Sequence, residues 1–276
     1  MSKISKVTLG ADPEFFLRHK ITGTHCSGIG IIGGTKDEPR QITKKGHFVQ
    51  EDNVLGEFNI PPCSTEKDFI DNLNIALKEI KKSVLPSDLE MDFIPSARLP
   101  WEELMDEAAG VVGCDPDINA WLRIQNEVLD TLELTNLRTA GGHIHVGYDK
   151  PDDIISYELV KAMDLFLAVP AILIDKDTQR RELYGNAGAC RIKEYGVEYR
   201  TLSNFWVADN SLMSWAYRNT MRAIDYINAG NSVDEEDGYM VQETINDSDK
   251  KFAKILIEKF DLEVIKVAEN NVERVS

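Results

Sequence analysis

The sequence predicts an α+β fold, and three observations carry that prediction. Segments with strand character dominate the early chain, helical periodicities cluster late, and only one clean βαβ alternation interrupts the order. Lys6 to Leu17 reads as the first strand, apolar at Val7, Leu9, Phe15 and Phe16, with Asp12 and Glu14 set into it. Ile29 to Ile32 and His47 to Ile60 are further strand candidates, the second closed by Pro61-Pro62. Thr65 caps the helix that follows, with Asp68 three residues on and Phe69, Leu73, Ala76, Leu77, Ile80 and Val84 at helical spacing. Met91 to Ile94 reads as a short strand and Trp101 to Ala108 as a short helix, while Asp117 to Ile124 fits either helix or irregular chain. Ala140 to Tyr148 is a strand entered through Gly141-Gly142. Asp153 to Asp175 is a long apolar helix with a kink expected near Pro170. Gly196 to Leu202 is another strand, followed by helices over about Ser211 to Ala229 and Lys250 to Ala268.

At 276 residues the chain suits one large domain or two small ones. With no repeat, low-complexity tract or long linker, residues 1–276 are expected to form one domain, its C-terminal part (about 207–276) helical. A chain of this length buries roughly three quarters of its unfolded surface and needs no disulfide or metal staple. The composition, 42% hydrophobic and 28% charged, is that of a globular protein, with no apolar run of about 18 residues that would span a membrane. Met1 to Leu9 lacks the apolar stretch of a secretory signal. Cys26, Cys63, Cys114 and Cys190 form no CxxC pair and read as reduced thiols of a cytoplasmic protein. Against 31 basic residues stand 47 acidic ones, a net charge of -16, which argues against nucleic acid as a partner but allows a small anion held by a local basic cluster. Asp234 to Asp237 is expected to be solvated surface.

The chemistry concentrates in strands. Residues i and i+2 of a strand share a face, so His143 and His145 of Gly-Gly-His-Ile-His-Val-Gly project together while Ile144 and Val146 bury. Such a pair suits a metal or an anion; the plainer alternative is two histidines satisfied by carboxylates. Asp12 and Glu14 repeat the geometry, as do Glu198 and Arg200, and Glu51 and Glu57 share a face with Asn53 and Asn59 if their strand is continuous. Each pair alone reads more readily as a salt bridge or a solvated face than as a site. If the faces coincide, the carboxylates cannot all stay ionised without cations, and their oxygens suit Mg²⁺ or Mn²⁺, which bridge phosphates. A basic run accompanies the last strand: Arg180, Arg181, Arg191, Lys193 and Arg200. Guanidinium groups clamp phosphates bidentately, and Arg200, beside Glu198, is the principal candidate; Arg180 and Lys193 fit surface pairing with Glu182 and Glu194. Gly28-Ile29-Gly30-Ile31-Ile32-Gly33 matches GxGxxG in letters only, since a turn and no helix follows, and Lys36 does not stand where a P-loop lysine would.

Six segments occur in order: Gly10-Ala11-Asp12-Pro13-Glu14-Phe15-Phe16, Ile32 to Pro39, Glu51 to Pro62, Gly113 to Asp117, Gly141 to Gly147 and Glu198 to Trp206. Together they resemble the phage-type COOH·NH2 ligases (amidoligases, type 2) of the glutamine synthetase and glutamate–cysteine ligase superfamily. The resemblance implies a curved, mainly antiparallel sheet with helices packed on one face, a glutamine synthetase-like catalytic domain, whose concave face holds ATP and several Mg²⁺ or Mn²⁺ ions. It implies ATP-dependent amide formation through an acyl phosphate, from small-molecule or peptide carboxylate and amine substrates. By position, Glu14, Glu57, Glu198 and His145 are expected metal ligands, with Asp12, Glu51 and His143 as further ones. Arg200, Glu198 and His145 are the expected catalytic set, and Arg200, His145, Arg191, Arg181 and Lys36 the expected nucleotide contacts. The first motif reads Asp-Pro-Glu where better-known relatives carry Glu-x-Glu. His19 to Gly46, glycine-rich and basic, is the candidate cover of the site. Neither nucleic acid nor membrane is an expected partner, and the expected location is the cytoplasm, that of the host for a phage protein. Two alternatives stand beside the ligase: a Zn- or Mn-dependent amide hydrolase using His143, His145, Glu14 and Glu57, and an inactive interaction protein of the same fold.

Overall fold

A computed structural model of the protein describes residues 3–110, 117–126 and 135–265. The motif residues 113–116, Cys114 among them, and the end of the last predicted helix lie outside these residues. Strands β1 (Thr8–His19), β2 (His25–Cys26), β3 (Arg40–Gln41), β4 (Phe48–Asp52) and β5 (Leu55–Asn59) precede helix α1 (Glu66–Ser83). Then come β6 (Leu89–Asp92), β7 (Ser96–Arg98), a 3-10 turn (Trp101–Leu104), α2 (Glu107–Gly110), β8 (Ile118–Asn119), β9 (Ile124–Gln125), β10 (Leu137–Thr139) and β11 (Gly142–Gly147). Helix α3 (Asp153–Met163) runs through a π-helical turn (Asp164–Ala168) into α4 (Val169–Ile174) and is followed by α5 (Gln179–Leu183), β12 (Ala189–Lys193) and β13 (Gly196–Tyr199). A 3-10 turn (Asn204–Val207), α6 (Asn210–Asn228), α7 (Glu235–Asn246) and α8 (Lys250–Phe260) complete the described chain.

The strands build the large, mainly antiparallel sheet of an α+β fold, in the order β3-β4-β5-β1-β11-β13-β12-β8-β9. β1 is its spine: Thr8 to Pro13 pair with β11, Glu14 and Phe15 with β5, and Phe16 to His19 with β6. Alternation then sorts the side chains. Leu9, Ala11 and Phe15 of β1, Ile144 and Val146 of β11 and Val197 and Tyr199 of β13 bury on one side, in one core with Leu159 and Met163 of α3 and Trp215 of α6. Helix α1 joins this core through Phe69, which stacks on Trp206 with ring centroids 5.9 Å apart. Thr65 caps α1 by accepting the Asp68 N–H, as the sequence pattern predicts. The Trp206 indole N–H in turn donates to Gly142 O at 3.0 Å, and a Cβ at Gly142 would meet that nitrogen at 2.5 Å, so glycine is required at the entry to β11. Truncating Trp206 to alanine in such a core costs about 3–5 kcal/mol.

Several expectations are corrected. Ile29 to Ile32 is a turn, because the N–H groups of Ile31 and Ile32 both point back to Gly28 O. The predicted strand from His47 to Ile60 is a hairpin: Asn53 adopts a left-handed conformation (φ 56°) and turns β4 into β5. Asp117 to Ile124 holds the short pair β8 and β9. The helix expected from Asp153 to Asp175 does form, over Asp153–Ile174, with a π-helical turn just before Pro170 where the buried Asp164 carboxylate accepts from Trp121 Nε1 (2.7 Å), Gly188 N (2.6 Å), Tyr199 Oη (2.8 Å) and Thr201 Oγ1 (3.1 Å). The last helix stops at Phe260, capped by Asp261 at φ 49°. Asp234 to Asp237 is not wholly solvated, since Asp234 caps α7 and Asp237 is buried against Lys259 Nζ at 2.6 Å. Cys26, Cys63 and Cys190 are buried free thiols. Among the described residues no helix is long and apolar enough to cross a membrane.

Candidate functional site

The face of the sheet opposite the core carries the ionisable groups. Across β1 and β11, Asp12 pairs with His143 and Gly10 with His145; across β11 and β13, His145 pairs with Glu198; across β13 and β12, Glu198 pairs with Arg191. On the other flank Glu14 pairs with Glu57, and Glu57 with Gln50. Asp12, Glu14, Glu57, His143, His145, Arg191 and Glu198 therefore share one wall. That wall lines a cavity of about 330 Å³, which Lys36, Asp52, Lys193 and Arg200 also line. A second, smaller cavity of about 80 Å³ adjoins it, bordered by Glu14, Asp52, His143 and Arg200 as well as Arg138, Arg180 and Tyr184.

Two groups of side chains offer oxygen and nitrogen atoms within 4.8 Å of one another: Asp12, His145 and Glu198, and Glu14, Asp52 and Glu57. The groups differ electrostatically. In the first, burial works against the Asp12 charge, yet His145 and His143 outweigh it and hold the carboxyl below its ordinary range. Burial and Asp12 likewise oppose ionisation of Glu198, but Arg200, His143 and His145 bring its pKa down to about 2. His145 is raised, because Asp12 and Glu198 outweigh burial. His143 is lowered to about 4 by burial and Arg200, which suits a neutral ring accepting from the Arg200 guanidinium at 3.3 Å. In the second group burial and mutual repulsion outweigh the nearby Arg180, Arg200 and Lys36. Burial and Asp52 push Glu14 up to about 7 even though its carboxylate accepts the Gly141 N–H at 2.6 Å. Burial and the neighbouring carboxylates push Glu57 well above its ordinary value. A divalent cation is the group that would let these three ionise together.

The first group converges more tightly. Asp12 Oδ1 and His145 Nε2 are both buried and pair with each other at 2.9 Å. Together with Glu198 they converge on one point. An acceptor oxygen and an imidazole nitrogen together fit a divalent cation.

Arg200 follows β13 directly and is buried. Its guanidinium bonds Glu198 Oε1, reaches Asp117 Oδ2 at 3.3 Å and touches His143 Nδ1, so three side chains aim it. Lys193 Nζ lies 2.9 Å from Glu198 Oε2 and Arg191 Nη1 3.4 Å from its Oε1. Lys193 thus belongs to the wall rather than to a surface pair.

Three sequence readings are corrected by position. Glu51 does not share a face with Glu57, because the hairpin turn sets Gln50 and not Glu51 opposite Glu57. Its carboxylate instead accepts the N–H groups of Gly30 and Gly33, both at 2.9 Å, so the glycine-rich loop does wrap an anion and that anion is Glu51. Arg181 points away from the cavity and bonds Asp175 Oδ2 at 3.3 Å and Ser248 Oγ at 2.9 Å. Arg180 is not a surface residue: it is buried and donates to the carbonyls of Thr201 (2.8 Å) and Arg200 (3.1 Å) beneath the small cavity. The 19–46 segment contributes Lys36 and Pro39 to the rim of the large cavity. The sequence reading missed Asp52, Asp117 and Tyr195. Asp52 becomes visible once Asn53 is read as a turn residue, because i and i+2 then place it with Gln50 on the Glu57 face.

The wall brings two groups of ligand-type side chains and the Arg200 guanidinium together on one face of an antiparallel sheet. Residues 135–252, which contain β11, β12, β13 and Arg200, match the family model "Phage phiEco32-like COOH.NH2 ligase-type 2". Over that stretch the chain is similar to the family that its motifs resemble. No curated protein sequence matches the chain. Among solved structures it is similar to a bifunctional glutathione synthetase from Pasteurella multocida, at 9% identity and a TM-score of 0.40. The similarity covers 92% of this chain and 49% of that one, so the chain spans about half the length of that protein.

Proposed function

We propose that the protein is an ATP-dependent carboxylate–amine ligase that forms an amide bond through an acyl phosphate. The observation that carries this reading is one cavity in which two cation-ready carboxylate groups lie against Arg200, Arg191, Lys193 and Lys36. A hydrolase of neutral amides has no use for such a clamp, whereas phosphoryl transfer needs positioning and charge neutralisation. Glu14, Asp52 and Glu57 would hold one Mg²⁺ or Mn²⁺ ion, and Asp12, His145 and Glu198 a second; bound there, the ions supply neutralisation of phosphate charge. Arg200, aimed by Glu198, Asp117 and His143, stabilises the charge that develops on the transferring phosphoryl group. Arg191, Lys193 and Lys36 orient the remaining phosphates from the rim. Lys36 and Pro39 shield one side of the cavity from water, which protects an acyl phosphate until the amine attacks. The acid and amine are small molecules or peptides, the chain works as a single catalytic unit, and its reaction belongs to the cytoplasm.

Trapping tests the reading. Incubation with Mg·ATP, a panel of carboxylic acids and hydroxylamine should yield hydroxamate and ADP in equal amounts. Amide cleavage independent of ATP, with no hydroxamate from any acid, would replace it with a hydrolase.

A further inference from the structure

We propose that Tyr195 is a positioning residue for the cation site of Asp12, His145 and Glu198: its phenol oxygen holds the His145 ring so that Nε2 faces the cation. This rests on the reading of that group as a cation site.

Tyr195 stands in the two-residue turn between β12 and β13, where Lys193 pairs with Gly196. Backbone alone pins the turn. Tyr195 O accepts the Tyr148 N–H at 3.0 Å, and Gly196 adopts φ 145°, where a Cβ would lie 2.2 Å from Val146 O. The phenol is therefore not needed to form the hairpin. At 43% exposure the side chain could turn to water, yet its hydroxyl is hydrogen-bonded to His145 Nδ1, with ring centroids 5.9 Å apart.

The opposite nitrogen of the same ring is Nε2, buried and 2.9 Å from Asp12 Oδ1 on the side that faces Glu198. A neutral imidazole has one donor and one acceptor nitrogen. A cation between Asp12, His145 and Glu198 takes the Nε2 lone pair, so the ring proton resides on Nδ1 and needs an acceptor. The Tyr195 hydroxyl oxygen stands at that position. It thereby selects the tautomer and fixes the ring plane, the part that oxygen acceptors behind metal-bound histidines commonly play. Loss of such a partner lowers metal affinity on the order of 10- to 100-fold.

The test is calorimetric titration of the full chain with Mn²⁺, without nucleotide, on the wild type, Tyr195→Phe and Glu57→Gln, each with a melting curve in EDTA. The wild type should bind Mn²⁺ in two phases. Tyr195→Phe should weaken one phase about 10- to 100-fold, leave the other unchanged and melt as the wild type does. Glu57→Gln should weaken the phase that Tyr195→Phe spares. Equal affinities in wild type and Tyr195→Phe would overturn the role of Tyr195 and leave the cation site standing. Weakening of both phases together with a lower melting temperature would make Tyr195 a structural residue and overturn the proposal. A wild type that binds no Mn²⁺ would overturn the cation site and the proposal with it.

Discussion

Glu14 and Glu57 are direct partners across the antiparallel ladder of β1 and β5, two carboxylates on one face of the sheet with Asp52 beside them. Like charges placed opposite each other destabilise a sheet, and here burial adds to the cost. Bound protons or a cation relieve that repulsion.

The pH dependence of stability follows from that pair. Burial raises Glu14 from 4.5 to about 7 and Glu57 well above its ordinary value, so the metal-free fold binds protons more tightly than the unfolded chain does. The stabilisation from these protons is complete below about pH 4.5 and is lost as pH rises through about 7. In EDTA this contribution should lower the melting temperature between pH 5 and pH 8, and Mg²⁺ should raise it more at pH 8 than at pH 5. A Mg²⁺ effect of equal size at both values would mean that the carboxylates are not its target.

Replacing Glu57 with Gln removes one charge of the crowded group. In EDTA the variant should melt at the same temperature as the wild type or higher, while Mg·ATP affinity falls at least tenfold. A large loss of melting temperature without a change in affinity would mark Glu57 as a structural residue.

Arg200→Lys keeps the charge and loses the fork that Glu198, Asp117 and His143 aim. Turnover should fall by at least a hundredfold with nucleotide affinity changed by only a few-fold. Full turnover in that variant would remove Arg200 from the phosphoryl-transfer step.

Glu51→Ala tests the opposite assignment. Its carboxylate holds the Gly30 and Gly33 N–H groups, so its loss should cost about 1–3 kcal/mol of stability and leave Mn²⁺ stoichiometry unchanged. Loss of a bound ion would return Glu51 to the ligands.

The α+β class, the apolar and ionisable faces of β1, β11 and β13, and the capped helix α1 were legible because strand alternation and helix periodicity are local patterns. The core side of β1 is Leu9, Ala11 and Phe15, and the other side carries Asp12 and Glu14, as the i and i+2 spacing predicts. Two features escaped because one residue changed the register. The left-handed Asn53 converts a presumed strand into a hairpin, which exchanges Glu51 for Asp52 on the wall. The π-helical turn at Asp164 lies inside a helix whose apolar pattern continues through it, and there one buried carboxylate gathers four hydrogen bonds from distant elements. Arg180 and Arg181 are adjacent in sequence yet serve separate carbonyl and carboxylate partners, which composition does not distinguish. Tyr195 was invisible for a different reason: its contact with His145 joins residues 50 positions apart and exists only because Gly196 lets the hairpin close against β11.

Calorimetric titration of the purified protein with ATP, first with Mg²⁺ and then with EDTA, tests the central claim most directly. The proposed ligase should bind ATP in the micromolar to millimolar range with Mg²⁺ and lose that binding in EDTA. Absence of ATP binding with either Mg²⁺ or Mn²⁺ present, alongside tight Zn²⁺ binding at Asp12, His145 and Glu198, would contradict it and identify the site as a metal centre for hydrolysis.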